Sequence, residues 1–263
     1  MKTNTVKETL AQGGYAYGTM IFEFNTTGIG RIVGEAGAEF VVYDMEHTGW
    51  SIETIRMLIA TTQSSKALPM VRVPATQYHL ISRPLDLGAM GIMVPMVEDE
   101  AQARTIVRSA KYYPEGGRGA AFGVAHDNYV AAPVTEVMAS ANKEGFIMAQ
   151  IETVSGVENC EAIAAVDGID CLWVGHFDLT QSMGIPAQFD NPEFIKAIEK
   201  VARACDKHGK TAGVMVNNAE GAKLWKELGY RAFGYLGDVW LYGNALRSDW
   251  TNSRHWGEAT ITV

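Results

Sequence analysis

The sequence predicts an α/β fold of the (β/α)8, or TIM-barrel, class. Eight short, apolar, β-rich runs recur along 263 residues, each followed by a helical pattern, and that is the count and length of such a barrel. The runs are almost continuously apolar, as parallel strands buried on both faces are. No Pro- or Ser-rich linker, charge run or low-complexity tract divides the chain, so residues 1–263 read as one domain. A doubly wound open sheet is the competing architecture. It would show fewer units and a Gly-rich first turn, whereas the turn Phe24-Asn25-Thr26-Thr27-Gly28 carries no dinucleotide fingerprint.

The elements follow in order. The first run, Tyr15 to Phe22, precedes a helix over about Gly28 to Ala36. Ala38 to Tyr43 leads into Ser51 to Thr62, where Ser51 with Glu53 nearby reads as a helix start. Leu68 to Val73 is followed by Gln77 to Leu87, and Gly91 to Pro95 by Asp99 to Lys111. A long irregular excursion, Tyr112 to Lys143, then carries Arg118 in a Gly-rich surround and His126. Loops of that length tend to be functional or to cover a site. The fifth run, Gly145 to Ile151, precedes Ser155 to Ala165, and the sixth, Asp170 to Gly175, precedes Pro192 to His208. Thr211 to Val216 pairs with Ala219 to Leu228, and Ala232 to Gly237 with Val239 to Ser248.

Composition narrows the function. Twenty-two Lys and Arg against thirty Asp and Glu give a net charge of −8 with no basic run, which argues against nucleic-acid and anionic-membrane surfaces. No apolar stretch reaches the roughly 18–20 residues of a spanning helix, and the polar start lacks the apolar core of a signal peptide. Three cysteines without metal-type spacing fit reduced thiols in a cytoplasm.

Barrel active sites gather at the C-terminal strand ends. There the sequence places Asp44-Met45-Glu46-His47, Arg72, Gln150-Ile151-Glu152, Gly175-His176-Phe177-Asp178 and Asn217-Asn218. Glu152 and Asp178 follow neighbouring strands, so both carboxylates can approach one ion. With waters and a chelating oxygen substrate they describe a hard divalent-cation site of Mg or Mn type. The competing reading is that each carboxylate caps the following helix. His47, beside acidic residues, suits a general base held in one tautomer, or a loop histidine bonded to backbone. Arg72, at the end of a buried strand, needs an anionic partner: either Glu46, or a substrate carboxylate or enolate oxygen. Arg118 either meets an anion or fixes its loop. His126 and His176 stay open, while His79, His208 and His255 fall on helices or the tail as surface residues. The six Trp and twelve Met scatter without pocket-defining spacing and read as core.

Together these residues resemble the metal-dependent (class II) pyruvate aldolases of the HpcH/HpaI family. The likeness runs from about Gly18 to Leu246. It is carried by Asp44-Met45-Glu46-His47, Val71-Arg72-Val73-Pro74, the stretch Leu85 to Pro95, Tyr113 to Gly119, Gln150-Ile151-Glu152 and Gly175 to Leu179. The resemblance implies metal ligation by Glu152 and Asp178, with Mg or Mn bound and Co a further option. It implies acid/base work by His47, Asp86 raising the basicity of His47, and enolate stabilisation by Arg72. Gln150 and the backbone around Gly175 and Phe177 would hold the keto-acid carboxylate. It further implies a C-terminal helix exchanged between subunits of a homohexamer. Many members carry Gly-Pro-x-Asp where this chain has Gly175-His176-Phe177-Asp178, which puts bulk and an extra proton donor beside the pyruvate pocket.

The expected reaction is reversible cleavage of a 4-hydroxy-2-ketoacid to pyruvate and an aldehyde. A Schiff-base aldolase needs a strand lysine, and none of the eight runs contains one. Two alternatives remain: a citrate-lyase-like acyl-CoA lyase using the same metal–enolate centre, and a non-catalytic keto-acid-binding barrel.

Overall fold

In the computed structural model, which describes residues 2–253, eight parallel strands close into a barrel in sequence order. They are β1 (Ala16–Ile21), β2 (Phe40–Asp44), β3 (Leu68–Arg72), β4 (Gly91–Val94), β5 (Phe146–Ile151), β6 (Cys171–Val174), β7 (Thr211–Val216) and β8 (Ala232–Gly237). Each lies within one or two residues of its predicted run. His255 lies outside the described residues.

Side chains alternate across each strand, and the alternation builds two cores. Phe40 and Val42, Leu68 and Met70, Phe146 and Met148, Cys171 and Trp173 fill the barrel interior. Val41, Tyr43, Val71, Ile92, Ile147, Leu172 and Val214 point outward beneath the helices. Small residues make room for large ones inside: a Cβ at Gly213 would sit 2.5 Å from the Trp173 ring. The inward series does not stop with the apolar layers. Two residues beyond Val42 comes Asp44, beyond Met70 Arg72, and beyond Met148 Gln150 and then Glu152. Strand periodicity thus delivers these polar groups to the C-terminal mouth.

Twelve helices are described. Before β1 lies α1 (Thr5–Ala11), then α2 (Ile29–Glu35), α3 (Ile52–Thr62), α4 (Tyr78–Asp86) and α5 (Glu100–Ala110) follow the first four strands. After α5 come α6 (Val134–Glu144), α7 (Val154–Glu158), α8 (Cys160–Ala164), α9 (His176–Ser182), α10 (Pro192–Lys207), α11 (Ala219–Glu227) and α12 (Asp238–Ser253). Ser51 caps α3 as expected, accepting from the Thr54 N–H.

Four features differ from the sequence reading. The polar start contains α1, which sends only Val6 and Leu10 into the barrel floor and therefore shows almost no apolar stripe. Its cap, the buried Asn4, accepts from the Lys7 N–H and donates to the Met90 and Glu144 carbonyls. The excursion Tyr112–Lys143 is half helix: a 3-10 turn, Ala125–Asp127, and then α6. Only Ala141 and Asn142 of α6 are buried, so periodicity had nothing to detect. The single helix predicted over Ser155–Ala165 is broken at Asn159, which ends α7 and begins α8. Finally, β6 ends at Val174, and Gly175 caps α9 directly.

Candidate active site

A cavity of about 190 Å3 opens at the C-terminal mouth, lined by His47, Arg72, Gln150, Gly175, His176, Phe177 and Asp178 among others. Its polar floor is organised by Asp44, fully buried at the end of β2. Asp44 accepts from the backbone N–H groups of Glu46 (3.1 Å) and His47 (2.9 Å), and from Arg72 Nε at 2.6 Å. Asp44 therefore braces both the loop that carries His47 and the Arg72 guanidinium. Arg72 Nη1 also lies 3.1 Å from Glu46 Oε2. That contact lacks hydrogen-bond geometry, so the buried Glu46 oxygen has no donor.

Glu152 is the other anchor. It is buried and accepts from the Met96 N–H at 2.7 Å and from Gln150 Nε2. Burial pushes its carboxyl up to about 7, against those two hydrogen bonds and with help from the charges of Glu46 and Asp178. Glu46 is pushed up to about 6, mainly by burial, with Arg72 opposing and Asp44 and Asp178 adding. Gly175 is required here, because a Cβ would run into the Glu152 side chain and sit 3.0 Å from Gln150 Nε2. Asp178 stands exposed in the first turn of α9, where a helix N-terminus favours negative charge.

This donor set fits a divalent cation. The charges of Glu46 and Asp178 raise the proton affinity of Glu152, those of Asp44 and Asp178 raise that of Glu46, and the Glu46 Oε2 and Gln150 Oε1 atoms are buried without hydrogen-bond partners. Among the described residues no three His, Cys, Asp or Glu side chains are grouped to enclose an ion. Two carboxylates with the remaining positions open to water or substrate match a hard cation that keeps part of its hydration.

The structure places the other expected residues as follows. His47 lines the cavity with its side chain 56 % exposed and Nε2 3.8 Å from Glu46 Oε2. Asp86 lines a different cavity and hydrogen-bonds Arg118 at 3.0 and 2.5 Å, so one chain does not bring it to His47. Arg118 is buried on the Tyr112 ring, 4.6 Å from its centroid, which makes it a loop-fixing residue. His126 is likewise structural, bonding Tyr112 Oη and the Ala121 carbonyl. His176 is buried among Phe177, Phe189 and Trp225, and burial lowers its pKa to about 4 despite Asp178.

Reading every Trp and Met as core was wrong for Trp240, which is 43% exposed and lines the cavity with Phe22 and Met215, whereas Met20 is core as expected and also lines it. Asp238 was missed altogether: buried at the start of α12, it accepts the N–H groups of Phe22 (2.8 Å), Glu23 (2.9 Å) and Phe24 (2.7 Å). A carboxylate directly after the eighth strand run was the available signal.

Residues 22–233 match the family model described as HpcH/HpaI aldolase/citrate lyase. The chain belongs to that family. An HpcH/HpaI relative from Shigella boydii serotype 18 (strain CDC 3083-94 / BS512), 5-keto-4-deoxy-D-glucarate aldolase, is 33% identical over 82% of this chain and 84% of its own. The hydroxypyruvate/pyruvate aldolase of Roseobacter denitrificans (strain ATCC 33942 / OCh 114) is 32% identical over 93% of this chain and 95% of its own. The crystal structure of an HpcH/HpaI aldolase from Desulfitobacterium hafniense DCB-2 superposes with a TM-score of 0.89 at 32% identity, covering 94% and 96% of the two chains. The resemblance read from the motifs is thus borne out, and this HpcH/HpaI chain is a lyase. No helix among its described residues is long and apolar enough to cross a membrane.

Proposed function

We propose that this chain is a metal-dependent pyruvate aldolase, cleaving 4-hydroxy-2-ketoacids reversibly to pyruvate and an aldehyde. The observation that carries the reading is the joint placement of Glu152, Asp178, Arg72 and His47 around one strand-end mouth. Glu152 and Asp178 would hold the cation, Mg or Mn by the oxygen character of the set. Bound there, a divalent ion supplies Lewis-acid polarisation of the keto group.

The chain's own residues do the rest. Gln150 and the backbone at Gly175 and Phe177 orient the keto-acid carboxylate. Arg72, locked by Asp44 and Glu46, presents fixed positive charge to the oxygen on which enolate charge develops. Charge held in place before the reaction stabilises such an oxygen without any reorganisation as the barrier is crossed. In the cleavage direction His47 takes the 4-hydroxyl proton, the bond between C3 and C4 breaks, and the aldehyde leaves.

The expected role of Asp86 requires contact between subunits, since Asp86 and His47 stay apart within one chain. An apolar groove of about 500 Å3 on the barrel wall, between β1, α2 and the start of α12, supports assembly. Ile32 on its rim is 65% exposed, and contiguous apolar surface of this kind marks an interface. A homohexamer with α12 exchanged between subunits is the assembly we favour, and a cytoplasmic location agrees with the reduced cysteines.

Pyruvate release from a 4-hydroxy-2-oxoheptanedioate-type substrate, with EDTA and with Mg or Mn restored, tests the reading. Release that EDTA abolishes and metal restores is the expected result. Folded protein that neither releases pyruvate nor exchanges the methyl protons of pyruvate in D2O under any metal condition overturns it in favour of acyl-CoA cleavage or ligand binding.

A further inference from the structure

Beyond the polar floor, the walls of the mouth are aromatic. Phe22 meets Trp240 edge-on, ring centroids 5.0 Å apart at 80°. The pair is built in rather than incidental. A Cβ at Gly237 would lie 2.7 Å from Phe22 and 2.8 Å from Trp240, so glycine is what lets the rings close. Asp238 clamps three successive backbone N–H groups from Phe22 onward. Leu236, one residue before Gly237, holds a positive φ of 48°, a left-handed conformation that non-glycine residues rarely adopt. Phe177 adds a third ring, 4.7 Å from His176 and 5.0 Å edge-on from Phe189. Phe177 and Trp240 are nonetheless 52% and 43% exposed, and Met20 and Met215 complete the apolar lining.

Charge at this mouth disfavours a second anion. Among the described lining residues the cationic candidates are His47 and Arg72, and Arg72 is already paired with Asp44 and Glu46. Asp178 lines the same space, and its charge acts on Glu46 and Glu152 close by. A carboxylate on the aldehyde half would meet no cation that the reaction does not already use, whereas a flat apolar group would stack on rings held rigid in advance.

We propose that the acceptor aldehyde of this enzyme is uncharged and apolar, with an aromatic aldehyde as the preferred class. The inference rests on the pyruvate-aldolase reading and specifies its second substrate. In the synthetic direction a pyruvate methyl proton is lost, the methyl carbon bonds to the aldehyde carbon, and the aldehyde oxygen gains a proton. No oxidant or reductant enters.

The test begins with exchange of the pyruvate methyl protons in D2O, with Mg or Mn and no aldehyde, followed by NMR. Exchange reports the pyruvate half-reaction alone. Benzaldehyde and succinate semialdehyde are then compared as acceptors by kcat/KM. We expect benzaldehyde to be preferred by about tenfold or more, as burial of an apolar group supplies. Trp240→Ala should lower that ratio by about tenfold, and Trp240→Arg should invert it. Because each variant is read as a ratio between acceptors, partial loss of folded protein does not mimic the effect. Exchange together with equal or better use of succinate semialdehyde overturns the acceptor assignment and leaves the aldolase standing. A ratio unmoved by both Trp240 variants also overturns it. Failure of exchange under every metal condition sinks the aldolase reading, and the acceptor assignment with it.

Discussion

The backbone N–H of Met96 donates to Glu152 Oε1 at 2.7 Å, and Met96 holds a positive φ of 54° where it does so. Left-handed backbone at a non-glycine residue costs about 1 kcal/mol or more, and strain of this kind gathers where a functional group must be aimed. Here it turns the chain after β4 so that the β4 loop supports a carboxylate at the end of β5.

Met96→Gly should therefore keep the N–H, relieve the strain and raise stability by about 1 kcal/mol, read as a higher urea midpoint with activity retained. Met96→Pro removes the donor and forbids the φ, so metal affinity should fall along with stability.

Arg72→Lys separates charge from geometry. A lysine keeps the charge but cannot span Asp44 and Glu46 with a planar fork. Turnover should drop by about a hundredfold, the size of effect for a preorganised electrostatic group, while the thermal stabilisation given by Mn is retained. Equal loss of both would make Arg72 a structural residue.

How much of this was legible beforehand follows from what periodicity can encode. The C-terminal ends of the predicted strands already held Asp44, Arg72 and Gln150, and the alternation that fills the barrel with Val42, Met70 and Met148 is what turns them inward. Glu152 follows the same rule one step beyond β5, whereas Asp178, read as a strand-end residue, stands in the first turn of α9, four residues after β6. The aromatic wall was not legible. Phe22 and Trp240 come from opposite ends of the chain, and only closure of β8 onto β1 brings them together. Helices α1 and α6 were missed because they bury two residues each and carry no stripe to read. The pairing of Asp86 with Arg118 is likewise a long-range contact that spacing does not encode.

Alkaline pH should destabilise the fold in a defined window. Burial raises Tyr43 from 10.0 to about 12, against its hydrogen bond to Thr62, and raises Cys205 from 9.0 to about 12, mainly by the same cause. Both groups keep their protons in the folded chain after the unfolded chain has lost them. Their contribution is intact below about pH 9 and is lost progressively as pH rises towards 12, at ~1.4 kcal/mol per pH unit for each group above its unfolded value. Urea midpoints measured from pH 8 to 11 should fall along this course. Cys205→Ala should make the part between 9 and 10 less steep, the buried Cys160 and Cys171 thiols, also raised by burial, supplying what remains, at the cost of a lower midpoint throughout.

The proposed chemistry depends above all on Glu152 and Asp178 holding one divalent cation beside the keto acid. Titration of Mn(II), with the free-ion EPR signal as readout, tests this directly with and without pyruvate. We expect one Mn per chain, bound more tightly when pyruvate is present, and affinity lowered by about tenfold or more in Glu152→Gln and Asp178→Asn. Mn binding as tight in both variants as in the unaltered chain would contradict it.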